Sequence, residues 1–120
     1  MPTVTTASGL QYQELVVGTG AEATTGKKVF VNYIGTFTDG RQFEAGNFDA
    51  AGGIAIGVGQ LVPGFDEGVL GMKVGGKRKL FLTSALAYGV NGSPRNPQTG
   101  EQTIPPNTPI NFEVELTNVQ

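Results

Sequence analysis

Glycine and proline punctuate this chain so densely that almost no stretch is free to become a helix. Nineteen glycines and seven prolines fall among 120 residues, and both residue types favour turns over the interiors of regular elements. One segment escapes. After Pro63, the run Gly64-Phe65-Asp66-Glu67-Gly68-Val69-Leu70 reads as a short helix. Pro63 sits where its fixed φ and missing donor do no harm. Asp66 and Glu67 fall in the first turn, where carboxylates suit the macrodipole, and Gly71 is placed to stop the helix. The rest must be strand, turn or loop.

Residues 9–17 show β-type alternation and end at the turn signal Gly18-Thr19-Gly20. Residues 28–37 set Val29, Val31 and Tyr33 on one face against Phe30, Asn32 and Ile34. Asp39-Gly40 reads as a tight hairpin turn, since both positions tolerate φ > 0. Arg41-Gln42-Phe43-Glu44 starts the return strand. Residues 45–53 interrupt the pattern as a loop or bulge would, and Ile54-Ala55-Ile56 resumes a short strand. Residues 79–82 and 110–116 are further strands. The last carries Ile110, Phe112, Val114 and Leu116 on one face and Asn111, Glu113 and Glu115 on the other. Between them, residues 90–102 form a long polar loop. Residues 1–8, small and polar, read as a flexible N-terminal segment, and 9–120 as a single domain. The fold class that follows is α+β: a twisted antiparallel β-sheet wrapped around one short α-helix.

Composition narrows the chemistry. The chain has no histidine and no cysteine, which removes the commonest general base, thiolate metal sites, disulfides and any histidine-based triad. An enzyme here works with carboxylates, tyrosine, backbone dipoles and apolar shape. A net charge of −2 gives no electrostatic case for nucleic acid or an anionic membrane. The basic run Lys73, Lys77, Arg78, Lys79 lacks interleaved aromatics and reads as a solvated turn and strand edge. Gly57-Val58-Gly59 is not a phosphate loop, because no GxGxxG and no following Lys-Ser/Thr accompany it. No run of 18 apolar residues exists, and no basic segment precedes an apolar stretch at the N-terminus. The expected setting is the cytoplasm, with a processed secreted form as the other possibility, and the expected state is a monomer.

Three segments in order carry a family resemblance. YIGTFTDGRQFE at 33–44, GVGQLVPGFDEGVLGMKVGGKRKLFLTSALAYG at 57–89, and TIPPNTPINFEVEL at 103–116 together resemble the FKBP-type peptidyl-prolyl cis-trans isomerases, from about Gly9 to the C-terminus. The resemblance implies catalysis of X–Pro bond rotation in folding or flexible chains, with no cofactor and no metal. It implies that Tyr88, Glu44 and Tyr33 act on the substrate, Tyr88 donating to a bound carbonyl, as does the backbone N–H of Val62. It further implies a substrate pocket walled by Phe43, Leu61, Val62, Phe65, Ile104 and Phe112. The implied partners are proline-containing peptides, unfolded proteins and macrolide immunosuppressant-type ligands. A proline-peptide binding or chaperone module with little turnover is the alternative.

The chain departs from the family pattern at three places. Glu44 stands where the family has aspartate, and Phe65 where it usually has tryptophan. Gly52 stands where a phenylalanine normally forms a pocket wall, which predicts weakened macrolide affinity, and Phe48 is the nearby aromatic able to replace it. The 91–102 insertion alters the pocket rim.

Overall fold

The computed structural model describes residues 3–49, 52–59, 61–94, 97–100 and 102–120. Its strands are β1 (Thr3–Thr5), β2 (Gln11–Val16), β3 (Lys28–Phe37), β4 (Gln42–Asn47), β5 (Ile54–Ala55), β6 (Lys77–Leu82) and β7 (Ile110–Val119), with the helix α1 (Pro63–Val69) between β5 and β6. Every strand pairing is antiparallel. The sheet order is β1-β2-β6-β7-β3-β4, with β5 also pairing to β3. The α+β class expected from the sequence is the one observed. Two parts of the reading change. The segment expected to be flexible contributes β1, which pairs Val4 with Tyr12, while residues 1 and 2 lie outside the described set. The return strand β4 continues through Ala45 and Gly46, where a loop was expected.

Alternation decides which face is buried. On β7, Ile110, Phe112, Val114 and Leu116 are buried, and on β6 the same holds for Arg78, Leu80 and Leu82. Register sets these residues side by side: Leu80 lies opposite Phe112 and Leu82 opposite Ile110. On β3, Val29 and Val31 join the same face. The resulting apolar surface takes the helix.

A helix of seven residues is well short of the roughly 12–15 needed for independent stability, and each glycine in it costs about 1 kcal/mol relative to alanine. Packing must therefore hold it. Gly64 and Gly68 are four residues apart and so share a face, and that face lies on β6. A Cβ at Gly68 would stand 2.6 Å from Leu80 Cδ1, and one at Gly64 would overlap Leu82 Cγ. Two missing methyl groups thus let the helix backbone settle onto the leucines. Phe65 and Val69 are buried in the core beside them.

The helix C-terminus is held by Arg78, which the sequence reading left in solvent. Its guanidinium Nη1 donates to the carbonyls of Gly68 and Leu70, both at 3.0 Å, satisfying carbonyls the last turn leaves open. Its Nε pairs with the Glu14 carboxylate, and the group stacks 4.4 Å from the Tyr12 ring centre. Lys73, by contrast, is exposed as expected.

Helix propensity and packing predict opposite signs for Gly64→Ala. Propensity alone favours alanine by up to about 1 kcal/mol, whereas overpacking against Leu82 costs about 1–3 kcal/mol. Urea unfolding should show a net loss of stability; an increased midpoint would contradict the close seating.

Candidate functional site

Where the far end of α1 meets β3, β4 and β7, the core opens into a cavity of about 200 Å³. Tyr33, Glu44, Phe48, Leu61, Val62, Phe65, Tyr88 and Phe112 line it. Its floor is Phe65 and Phe112, which are 3% and 4% exposed and meet edge to face at 5.0 Å between centroids. Tyr33 and Phe65 meet edge to face at 5.6 Å between centroids. Phe48 stacks on Tyr33 at 5.4 Å with 27° between the ring planes. Such offset and edge-on contacts are favoured by the ring quadrupoles, so the aromatics brace one another around an apolar hollow.

Local sequence explains each placement. Tyr33 lies on the inward face of β3, two residues beyond Val31. Gly35 follows on that face, and a Cβ there would stand 2.6 Å from Phe43 Cζ and 2.9 Å from Phe112 Cε1; its absence lets those two rings close to 5.9 Å. Glu44 reaches the site through a bulge. Gly35 pairs with Glu44 but Thr36 pairs with Gln42, which leaves Phe43 as the extra residue. A bulge of this kind re-aims side chains, so Phe43 and Glu44 both serve the site although they are adjacent in a strand. Tyr88 stands between two single-turn 3₁₀ helices, Ser84–Leu86 and Gly89–Asn91. The Asn107 N–H donates to the Gly89 carbonyl at 2.9 Å and ties this segment to the chain before β7.

The nine residues predicted from the sequence fall into two groups. Tyr33, Glu44, Leu61, Val62, Phe65, Tyr88 and Phe112 meet around the cavity. Phe43 and Ile104 instead line an adjoining chamber, which shares Glu44 and Tyr88 with the cavity. Gly52 is not on the cavity lining; Phe48 is. A Cβ at Gly52 would meet nothing within 4 Å, so the wall is supplied from a different point on the chain.

Asp66 was read only as a helix-start carboxylate, but it has a second role. It is buried, and its two oxygens accept from the backbone N–H groups of Gly57 at 2.7 Å and Gly59 at 3.0 Å. This clamps the glycine turn that leads to Leu61 and Val62. The partners are backbone groups seven and nine positions upstream, a relation that side-chain pattern does not encode.

The electrostatics are set by one carboxylate between two phenols. Burial, and then the negative charge of Glu44, push the Tyr33 hydroxyl above its ordinary value of 10.0, with Tyr88 adding to the effect. Burial and then Glu44 raise Tyr88 likewise. Both hydroxyls are therefore neutral donors at physiological pH. Among the described residues no group of three or more histidine, cysteine, aspartate or glutamate side chains is placed to hold a metal, and no helix is long and apolar enough to cross a membrane.

The sequence model of the family described as FKBP-type peptidyl-prolyl cis-trans isomerase matches residues 20–117. The chain is 44% identical over 115 residues to FK506-binding protein 4 of Dictyostelium discoideum, covering 96% of this chain and 29% of that one. It is 41% identical over 113 residues to the FK506-binding protein of Neisseria meningitidis serogroup B, covering 92% of this chain and 96% of that one. It thus spans less than a third of the first relative and nearly all of the second. Related chains include members named as chloroplastic and nuclear. The crystal structure of AtFKBP13 superposes with a TM-score of 0.82 at 30% identity, covering 100% of both chains. With the match spanning most of the sequence and the fold shared end to end, the chain belongs to the FKBP-type peptidyl-prolyl cis-trans isomerase family.

Proposed function

We propose that this chain is a peptidyl-prolyl cis-trans isomerase whose work is done in the aromatic cavity under Tyr88. The observation that carries the reading is an apolar hollow floored by Phe65 and Phe112 with neutral phenol donors at its mouth. Rotation about an X–Pro bond faces a barrier of roughly 18–20 kcal/mol from amide resonance. The reaction breaks no bond, so it needs neither nucleophile nor metal. A protein accelerates it by binding the twisted amide better than either planar isomer.

Each part of the site has a role in that task. Phe65, Phe112, Val62 and Leu61 hold the proline ring in a space that excludes water. Once twisted, the amide has a carbonyl of ketone-like character, to which the Tyr88 hydroxyl donates. The backbone N–H of Val62 donates to a second peptide carbonyl, and Tyr33 steadies the ring stack. Glu44 adds its charge to burial in raising both phenols and faces the amide across the cavity mouth. Because the donors are fixed by the 3₁₀ turns and β3, no solvent reorganisation accompanies rotation.

The substrates in this reading are proline-containing peptides and unfolded proteins, acted on by a monomer. Macrolide ligands of the kind for which its relatives are named would use the same cavity, with Phe48 against the ring in place of the wall absent at Gly52; the reading keeps their affinity weakened. A cytoplasmic setting accords with the cysteine-free composition.

Cis-to-trans isomerisation of an X–Pro tetrapeptide tests the proposal. The native chain should accelerate it, and Tyr88→Ala and Phe65→Ala should each lower kcat/KM by on the order of 10²-fold. No acceleration by the native chain, with peptide binding retained, would make the protein a proline-peptide binding module on the same fold. A second measurement addresses the donors. A phenol raised in the folded state contributes stability that is complete below pH 10 and is lost as pH rises through the folded value. Tyrosinate absorbance should therefore show that Tyr33→Phe and Tyr88→Phe each remove a component titrating above 10, and a component below 10 would refute the assignment.

A further inference from the structure

We infer that Asn91 is a site of spontaneous deamidation, and that its conversion to isoaspartate releases the turn that presents Tyr88. Asn32, Asn47, Asn96, Asn107, Asn111 and Asn118 each precede an aromatic or β-branched residue or proline, whereas Asn91 precedes glycine. Glycine has no side chain to shield its amide nitrogen and lets the backbone reach the geometry of attack. The fold keeps that glycine in place. Gly92 has φ +73°, and a Cβ there would stand 2.5 Å from the Ile104 carbonyl oxygen and 2.6 Å from the Gln102 amide nitrogen. No larger residue fits between Asn91 and Ser93 without moving that backbone. Asn91 itself is exposed. The Gly92 N–H reaches the Gly89 carbonyl only at 3.4 Å, the longest of the turn and loop backbone bonds among the described residues. The attacking nitrogen is thus weakly held, and water has access to whatever forms.

The Gly92 nitrogen attacks the side-chain carbonyl carbon of Asn91. It loses its proton, ammonia leaves, and the two residues close into a five-membered imide. One water then opens the ring. Addition at the side-chain carbonyl gives aspartate; addition at the main-chain carbonyl gives isoaspartate, in which the chain runs through the side-chain carbons. The balance is one water consumed and one ammonia released, with no oxidant and no cofactor. Isoaspartate lengthens the main chain by one carbon–carbon bond, roughly 1.5 Å, and turns the former Asn91 carbonyl into a free carboxylate. That carbonyl is a joint in the native chain. It accepts from the Gln102 side-chain amide at 2.8 Å, and the same amide donates to the Ser93 carbonyl at 2.9 Å. The Ser93 N–H closes the same neck on the Ile104 carbonyl at 2.9 Å. Asn91 is also the last residue of the single-turn 3₁₀ helix Gly89–Asn91, whose N-cap is Tyr88. An extra carbon at the end of one turn breaks its register, so Tyr88 loses the element that fixes it. On the isomerase reading, on which this consequence rests, its hydroxyl then moves off the amide carbonyl.

The test ages the full chain at mildly alkaline pH and maps each asparagine by peptide mass spectrometry. Asn91 should convert at least about tenfold faster than any other asparagine, and Asn91→Gln should leave that position unconverted. Each conversion adds one negative charge, so ion exchange separates the products, and peptide retention distinguishes isoaspartate from aspartate. The isoaspartate form should show moved backbone amide resonances at Tyr88 and Gly89. Its kcat/KM for an X–Pro tetrapeptide should be lower by on the order of tenfold. Freshly prepared Asn91→Asp, which carries the charge without the added carbon, should match the native chain in both. Conversion at Asn91 no faster than at the other asparagines would overturn the site. Conversion to isoaspartate with the Tyr88 and Gly89 resonances unmoved would overturn the release of the turn. Moved resonances with kcat/KM unchanged would overturn the loss of activity. If the fresh native chain fails to turn over the tetrapeptide, the isomerase reading falls instead, and the mass and resonance measurements still decide the modification and the release.

Discussion

The close contact between α1 and β6 is the constraint on which the rest of this molecule depends. A seven-residue helix containing two glycines has no stability of its own. Those same glycines, stacked on one face, let its backbone sit on Leu80 and Leu82 at a distance that a methyl group would block. Directly after Gly64 comes Phe65, which with Phe112 floors the cavity. The residue after Phe65 is Asp66, which fixes the turn leading to Leu61 and Val62. Fold and site are therefore joined: the feature that weakens the helix as a helix is the one that positions its side chains.

Charge is used sparingly and at joints. Arg78 closes the C-terminal end of α1 and ties it to β2 through Glu14. Asp66 holds the N-terminal side to the Gly57–Gly59 turn. Both are buried, and both spend their hydrogen bonds on backbone groups or an opposite charge, as buried ions must. Glu44 stands at the third joint, between cavity and chamber, and remains exposed. Its charge adds to burial in raising both phenols.

What could be read from the sequence was whatever periodicity or turn chemistry reports directly. The inward faces of β3 and β7 follow from alternation at Val29, Val31, Ile110, Phe112, Val114 and Leu116. Pro63 marks the helix entrance, and Asp39-Gly40 marks the hairpin, where Gly40 takes φ +94°. Small residues carry no side-chain signal of the structure they adopt. Ala45 and Gly46 continue β4 because β3 supplies their pairing, yet neither has a side chain that signals a strand. Arg78 was misplaced because its partner Glu14 lies 64 positions upstream, so local context showed only a basic run. The bulge that leaves Phe43 unpaired has no signature in side-chain pattern, since it is a property of two strands in register. Seven of the nine residues that the family pattern points to meet around the cavity, Phe43 and Ile104 line the adjoining chamber, and Phe48 reaches the cavity wall by stacking on Tyr33.

In the proposed function a proline peptide binds in the cavity formed between α1 and the inward face of the sheet. Backbone amide shifts recorded while an X–Pro tetrapeptide is titrated into the protein test it most directly. The largest changes should fall on Tyr33, Phe48, Val62, Phe65, Tyr88 and Phe112. Changes concentrated instead on the outward face, at Asn32, Ile34 and Glu113, would contradict it.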